Sequence, residues 1–362
     1  MTPGPDPDAF AALLCDWSMQ VAPGDRVGVF STTLAEELAV ALHRAILERD
    51  AWPFVCLEPP ALAGQLHRQA RERHRSQPAP TDLALARALD AFVRIDAPAN
   101  TTELAGVGAD VISMLLRARS PVREAMGTLR WCRTLLPTPA LAQQAGMATG
   151  EFAGFVTRAL FLDRPDPSGA WRELSVRQRR LVQRLAPARE IRIQAEGTDL
   201  TLRVDARTWI NSDGRRNMPS GEVFTGPHED SANGTISFTV PTGPAGSIVT
   251  GVRLTFRGGE VVEAGAERGD ARLQAALQTD PGARRLGELG IGTNAGIDRP
   301  TGDILLDEKI AGTIHLALGR SYPETGGVNE SALHWDLICD LRSGGTVTAD
   351  GEPIVVDGRV VE

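Results

Sequence analysis

The chain has 362 residues, 42% of them hydrophobic and 23% charged, and a formal net charge of -8. That length and hydrophobic share suffice for two domains with buried cores, while the acidic balance argues against a nucleic-acid partner, which requires a concentrated basic surface. No apolar run is long enough to cross a bilayer, so no membrane segment is expected. The opening MTPGPDPDAF lacks the basic region and apolar core of a secretion signal. Cys15, Cys56, Cys132 and Cys339 lie far apart with no CxxC pair, the pattern of reduced thiols in a cytoplasmic protein.

In chain order, Arg26 to Phe30 (RVGVF) reads as a strand, followed by a helix from about Thr33 to Glu48. Pro53 to Leu57 is a second strand, Leu83 to Asp90 is helical, Ala91 to Ile95 is a third strand, and a fourth is expected near Thr128 to Arg133. Strands spaced by helices imply parallel pairing and an α/β layer. STTLAEE follows the first strand in place of a glycine-rich phosphate loop, so a nucleotide-binding role has no support. Residues from about Thr149 to Ala188 read as helical. There Arg177, Arg179, Arg180 and Arg184 form a solvated side opposite Leu174, Leu181 and Leu185. At Glu190 the period drops to two, in REIRIQAEG, TDLTLRVDA, GTISFTV and GVRLTF. Asn233-Gly234 reads as a turn between Phe224 and the strand at Ile236, a helix is expected near Ala271 to Leu277, and TVTADGEPIVVDGRV fits a closing hairpin. The expected fold is an α/β amino-terminal domain (1–188, with flanking helices) plus an α+β, β-rich carboxyl-terminal domain (189–362).

The β-rich half carries the chemistry. On a strand, His334 and Asp336 of SALHWDLICDL share one face with Ile338, presenting an imidazole and a carboxylate to one point, as metal ligands do. By itself an H-x-D pair is as readily a hydrogen-bonded surface pair. His315, in AGTIHLALG, shares its face with the small Thr313 and Ala317, which also suits a satisfied core histidine. Glu288, in LGELGIGTN, has Gly290 and Gly292 on its face, which would leave its carboxylate in open space. Glu222, flanked by Val223 and Phe224 after a Pro-Ser-Gly turn, is either a loop-edge residue or a ligand balanced by a cation. Two glutamates, two histidines and an aspartate exceed what one zinc needs and suit two divalent ions sharing a carboxylate. Glu308 is a possible sixth ligand, although Lys309 adjoins it and strand parity turns it away from His315 unless Gly312 breaks the strand. Tyr322, the single tyrosine, follows His315 in a glycine-bearing loop, where its hydroxyl could donate to an oxyanion or simply pin the loop. His43, His67 and His74 have no acidic companion at ligand spacing and read as solvated surface residues.

The runs NMPSGEVFTGPHEDSANG, LGELGIGTN, DEKIAGTIHLALGRSYPETGGVNESALHWDLICDL and the terminal DG hairpin resemble the aminopeptidase T and aminopeptidase S family of thermophilic metallo-aminopeptidases. The first half resembles it more loosely, through VAPGDRVGVF and PTPALAQQAGM. The resemblance implies metal ligation by Glu222, Glu288, His315, His334 and Asp336, with Glu288 bridging two divalent ions (zinc, cobalt, manganese or magnesium). It also implies Glu308 at the motif position of a further ligand, Tyr322 as the active-site tyrosine, a peptide or aminoacyl amide substrate, and a homodimer with its sites facing an internal space. In the mechanism so implied, Glu222 or Glu308 carries the proton to the leaving amine. The dihydroxypyridine ring-opening dioxygenases resemble the same family and share the H-x-D pair around a single Fe(II). Glu222, Glu288 and His315 side with the peptidases at each position that separates the two.

Overall fold

The structure, a computed structural model, describes residues 4–62, 64–243 and 248–361. Its contacts group Met1–Trp171 with Gly214–Pro219 as one compact unit, and Arg172–Asp213 with Ser220–Glu362 as another.

The first unit is built on β1 (Arg26–Thr32), β2 (Trp52–Glu58), β3 (Ala91–Asp96) and β4 (Arg130–Leu135), paired in parallel in the order β2-β1-β3-β4. Val27, Val29, Val93 and Ile95 are buried along the central strands, the near-continuous apolar character of a parallel sheet covered by helices. The helix Glu36–Leu47 buries Leu38, Leu42, Ala45 and Ile46 on one face, with Glu36 and Glu37 in its first turn and Arg44 in its last, each complementing the helix dipole. Where a phosphate loop would follow β1, the Ser31 hydroxyl donates to the Ile95 carbonyl (2.8 Å) and the Thr32 hydroxyl to that of Ala97 (2.6 Å). The expected α/β layer is present, and the hydroxyls at the strand ends are spent on the backbone.

The region expected to be helical from Thr149 to Ala188 is two helices, Thr149–Ala159 and Pro167–Leu185. Between them Phe161 adopts a left-handed conformation (φ +57°), and Asp166 caps the second helix by accepting from the Gly169 N–H at 2.8 Å. Leu174, Leu181 and Leu185 are buried and Arg177, Arg179 and Arg180 exposed, as the amphipathic pattern requires. Arg184 instead lies half-buried, donating to the carbonyls of Pro353 (2.9 Å) and Val361.

The strands of the second unit are antiparallel. In chain order they are β5 (Glu190–Ala195), β6 (Thr198–Arg203), β7 (Ile210–Ser212), β9 (Glu222–Thr225), β10 (Asn233–Ser237), β11 (Arg253–Arg257), β12 (Glu260–Gly265), β13 (Leu286–Gly292), β14 (Thr313–Gly319), β15 (His334–Asp340), β16 (Thr346–Ala349), β17 (Glu352–Val356) and β18 (Arg359–Val360). The intervening β8 (Asn217–Met218) extends the first unit's sheet beside β4. One sheet runs β12-β11-β10-β6-β5-β16-β17-β18 and the other β15-β14-β13-β9-β7. Alternate residues of both sheets meet in one core: Ile191, Ile193, Leu200 and Leu202 from the first, and Leu289, Ile291, Ile314, Leu316, Leu318, Trp335, Leu337 and Cys339 from the second. The expected helix is present as Asp270–Leu277, and the closing hairpin as β16 and β17.

An expected turn is absent. Asn233-Gly234 is not a turn but the start of β10, paired with β6. Gly234 has φ +117°, and a Cβ there would lie 2.1 Å from the Asp199 carbonyl oxygen across the ladder, so the position requires glycine. An Asn-Gly dipeptide signals a hairpin from sequence, and here a close strand-to-strand approach takes the glycine instead.

Candidate metal centre

The five-stranded sheet places its polar face by register. Glu288 on β13, Ala317 on β14 and Asp336 on β15 lie in one cross-strand row. His315 sits opposite Gly290, His334 opposite Gly319, and Glu222 opposite Gly292. A small residue therefore faces each charged one. Ala317 keeps the space between the two carboxylates clear. A Cβ on Gly290 would lie 2.1 Å from the His315 ring, so that glycine makes room for the imidazole. Gly292 accommodates the Ile310 backbone in the same way. The open space expected around Glu288 is thus filled by His315 and by the chain leading into β14. Glu222 opens β9 directly after the loop and is buried, not a surface residue at a loop edge.

The six acidic and imidazole side chains singled out from sequence converge. His315 Nε2 is 3.3 Å from Glu288 Oε1 and 3.4 Å from Glu222 Oε2, and His334 Nε2 is 3.5 Å from Glu288 Oε2 and 3.6 Å from Asp336 Oδ1. Three overlapping groups (Glu222, Glu288 and His315; Glu288, His334 and Asp336; Glu308, His315 and Asp336) each bring ligand atoms within 4.8 Å of one another. Gly312, with φ +89°, separates Glu308 from β14; Glu308 closes the short helix Ile304–Asp307, so strand parity does not govern its direction. Tyr322 lies edge-on between His334 and Phe224, its hydroxyl 3.5 Å from His334 Nε2. His43 and His74 are exposed and His67 half-buried, and none belongs to the cluster.

Electrostatically the cluster is incomplete. Glu222 Oε2, Asp336 Oδ1 and His315 Nδ1 are buried and accept or donate no hydrogen bond, a costly arrangement for polar atoms. Burial, reinforced by the Asp336 and Glu222 charges, pushes the Glu288 carboxyl above its ordinary range even against the hydrogen bond from His315. Burial opposes a charged His315 ring, but the hydrogen bond to Glu288 and the surrounding carboxylates outweigh it and raise its pKa overall. His334 Nδ1 donates to the Arg320 carbonyl at 2.8 Å, so a neutral ring turns the lone pair of Nε2 toward Glu288 and Asp336. That outer hydrogen bond is the usual support for a metal-bound histidine. Carboxylates, the His334 lone pair and orphaned oxygens aimed at one space are what divalent cations satisfy, and the donor set fits them.

Sequence reasoning missed Lys309, read only as the charge beside Glu308. It is fully buried, with Nζ 3.0 Å from Glu222 Oε1 and bonded to Glu308 Oε1. Gln178 was missed too; its amide donates to the Glu222 carbonyl and holds β9. Gln178 falls at helical spacing on the face of Leu174, Leu181 and Leu185, a signal that could have marked it as buried, whereas nothing local separates Lys309 from an exposed turn residue.

Among curated relatives, the chain is 36% identical over 269 residues to Aminopeptidase 2 of Geobacillus stearothermophilus, covering 63% of this chain and 64% of the relative. It is 32% identical over 236 residues to Aminopeptidase T of Thermus aquaticus, covering 57% and 55%. The match thus spans somewhat under two thirds of these relatives' length. Among solved structures, wild-type AmpT from Thermus thermophilus superposes with a TM-score of 0.86 at 25% identity over 98% of this chain and 99% of that one. The 2,5-dihydroxypyridine dioxygenase of Pseudomonas putida KT2440 superposes with a TM-score of 0.60 at 15% identity, over 98% and 96% of the two chains, and so shares the fold. The sequence pattern of the thermophilic metalloprotease family (M29) matches residues 6–360, and the chain belongs to that family.

Proposed function

We propose that the chain is a metal-dependent aminopeptidase that removes the amino-terminal residue of peptides or aminoacyl amides. The observation that carries this reading is the buried convergence of Glu222, Glu288, His315, His334 and Asp336 with donor atoms left unpaired. The similarity to Aminopeptidase 2 and Aminopeptidase T supplies the reaction class. These five side chains would hold two divalent ions, with Glu288, whose two oxygens face His315 and His334, as the shared carboxylate and Glu308 at the edge of the site. Ions bound there supply a Lewis acid for the scissile carbonyl and lower the pKa of a water toward neutrality.

The rest falls to the protein. Burial holds the Tyr322 phenol well above its ordinary pKa, so it stays protonated and can donate to the oxyanion of the tetrahedral intermediate. Glu222 or Glu308, each with one oxygen held against Lys309, would carry the proton to the leaving amine. We further propose a homodimeric, cytoplasmic protein; no helix among the described residues is long and apolar enough to cross a membrane.

The test is hydrolysis of leucyl and other aminoacyl anilides, with loss on chelation and recovery with cobalt or zinc. Failure to cleave any aminoacyl anilide with metal restored would overturn the reading. The competing reading, a ring-opening Fe(II) dioxygenase, rests on a shared fold and the His334–Asp336 pair; Glu222, Glu288 and His315 oppose it.

A further inference from the structure

A buried lysine inside a cluster of carboxylates competes with any cation the cluster binds. Lys309 is held there by its backbone, its N–H donating to Leu306 (3.0 Å) and its carbonyl accepting from Asn294 (3.0 Å). Its ammonium lies against one oxygen of Glu222 and one of Glu308. The two oxygens of Glu222 are thereby divided: Oε1 faces Lys309 at 3.0 Å, while Oε2 faces His315 at 3.4 Å and accepts no hydrogen bond. Glu308 has the reach to join His315 and Asp336 around a cation, yet its charge is already answered. Four carboxylates in the cluster thus compete for one fixed internal cation, and Lys309 takes the two nearest it.

We propose that Lys309 is a positioning residue of the metal centre, restricting Glu222 to a single ligating oxygen and withholding Glu308 from the ions. This rests on the metal-centre reading above. With Lys309 in place the centre has five ligating side chains. Without it, Glu308 and the second oxygen of Glu222 become available, and the coordination number rises.

The test is cobalt binding by the full chain, read as ions per chain, affinity by equilibrium dialysis, and the visible absorption of bound Co(II), whose intensity falls as coordination number rises. E308Q is expected to bind the same number of ions with unchanged affinity and spectrum. K309M is expected to bind cobalt about tenfold more tightly or better, within the range that outer-shell groups control, with a weaker absorption band. The double variant K309M/E308Q should recover part of the wild-type intensity, because only the freed Glu222 oxygen remains. Loss of an ion in E308Q would make Glu308 a ligand and overturn the proposal, as would a K309M spectrum identical to wild type. Should K309M fail to fold, E308Q alone still decides whether Glu308 is withheld. A wild-type chain that takes up no cobalt, zinc or manganese would remove the centre itself, an outcome distinct from either variant result.

Discussion

The parallel sheet and the five-stranded site sheet differ in the kind of polar group they leave buried without a partner. In the parallel sheet, Ser31 and Thr32 end β1 with both hydroxyls bonded to carbonyls, Arg26 meets Asp90 at the surface through two side-chain hydrogen bonds, and among the described residues the buried group without a partner is a neutral hydroxyl, that of Thr134 on β4. In the site sheet, Glu222, Asp336 and His315 are buried with atoms that find no partner. Folding alone selects against the second arrangement, since each unpaired buried polar atom costs about 1–3 kcal/mol. The difference separates a scaffold from a centre awaiting cations.

Changes in the site sheet should therefore abolish function at little cost to folding, and changes in the parallel sheet should do the reverse. The largest effect is expected for Glu288→Ala, which removes the carboxylate whose two oxygens face His315 and His334. Aminoacyl anilide hydrolysis should fall by more than the ~10–100-fold that outer-shell partners control, with metal content lost in elemental analysis. Ala317→Leu should fill the row between Glu288 and Asp336. It should lower metal content while costing about 1–3 kcal/mol of stability from overpacking, measured by denaturant unfolding. Tyr322→Phe should lower kcat by on the order of 10²–10³-fold and leave metal content unchanged. If it empties the site instead, the tyrosine pins the loop and does no chemistry.

The parallel sheet supplies the inverse. Ile95→Ala should cost about 2–5 kcal/mol with metal per folded chain unaltered. The smallest effect belongs to the Arg26–Asp90 pair. The Arg26 side chain, followed by the Arg26 backbone N–H, holds the Asp90 carboxyl down at about 2. Its folded pKa is depressed below the ordinary value of 3.8, so its contribution is present above pH 3.8 and lost as pH falls toward 2. Because the pair is solvated, Asp90→Asn should lower Tm by at most about 3 °C at pH 7. The gap to wild type should close below pH 2.

Much of this contrast was legible in the sequence, for reasons that differ by element. Strand period placed His334 with Asp336 and His315 with Ala317 on one face, because a two-residue repeat fixes side without needing register. The spaced strands and helices of the first half gave the parallel layer. Register itself was not legible. That Gly290 faces His315, and that Ala317 lies between Glu288 and Asp336, depends on pairings among strands up to 48 residues apart along the chain. Lys309 escaped for the same reason: its charge partner Glu222 is 87 residues away and reaches it only through the sheet. Asn233-Gly234 misled because a glycine demanded by a close approach looks identical to one demanded by a turn.

The central claim, that the unpaired donors around Glu288 exist to bind divalent cations for peptide hydrolysis, is tested most directly by counting metals in the purified, active chain. The account predicts two divalent ions per chain, little iron, and anilide hydrolysis that disappears and returns with those ions. One iron per chain, with no hydrolysis restored by zinc or cobalt, would contradict it.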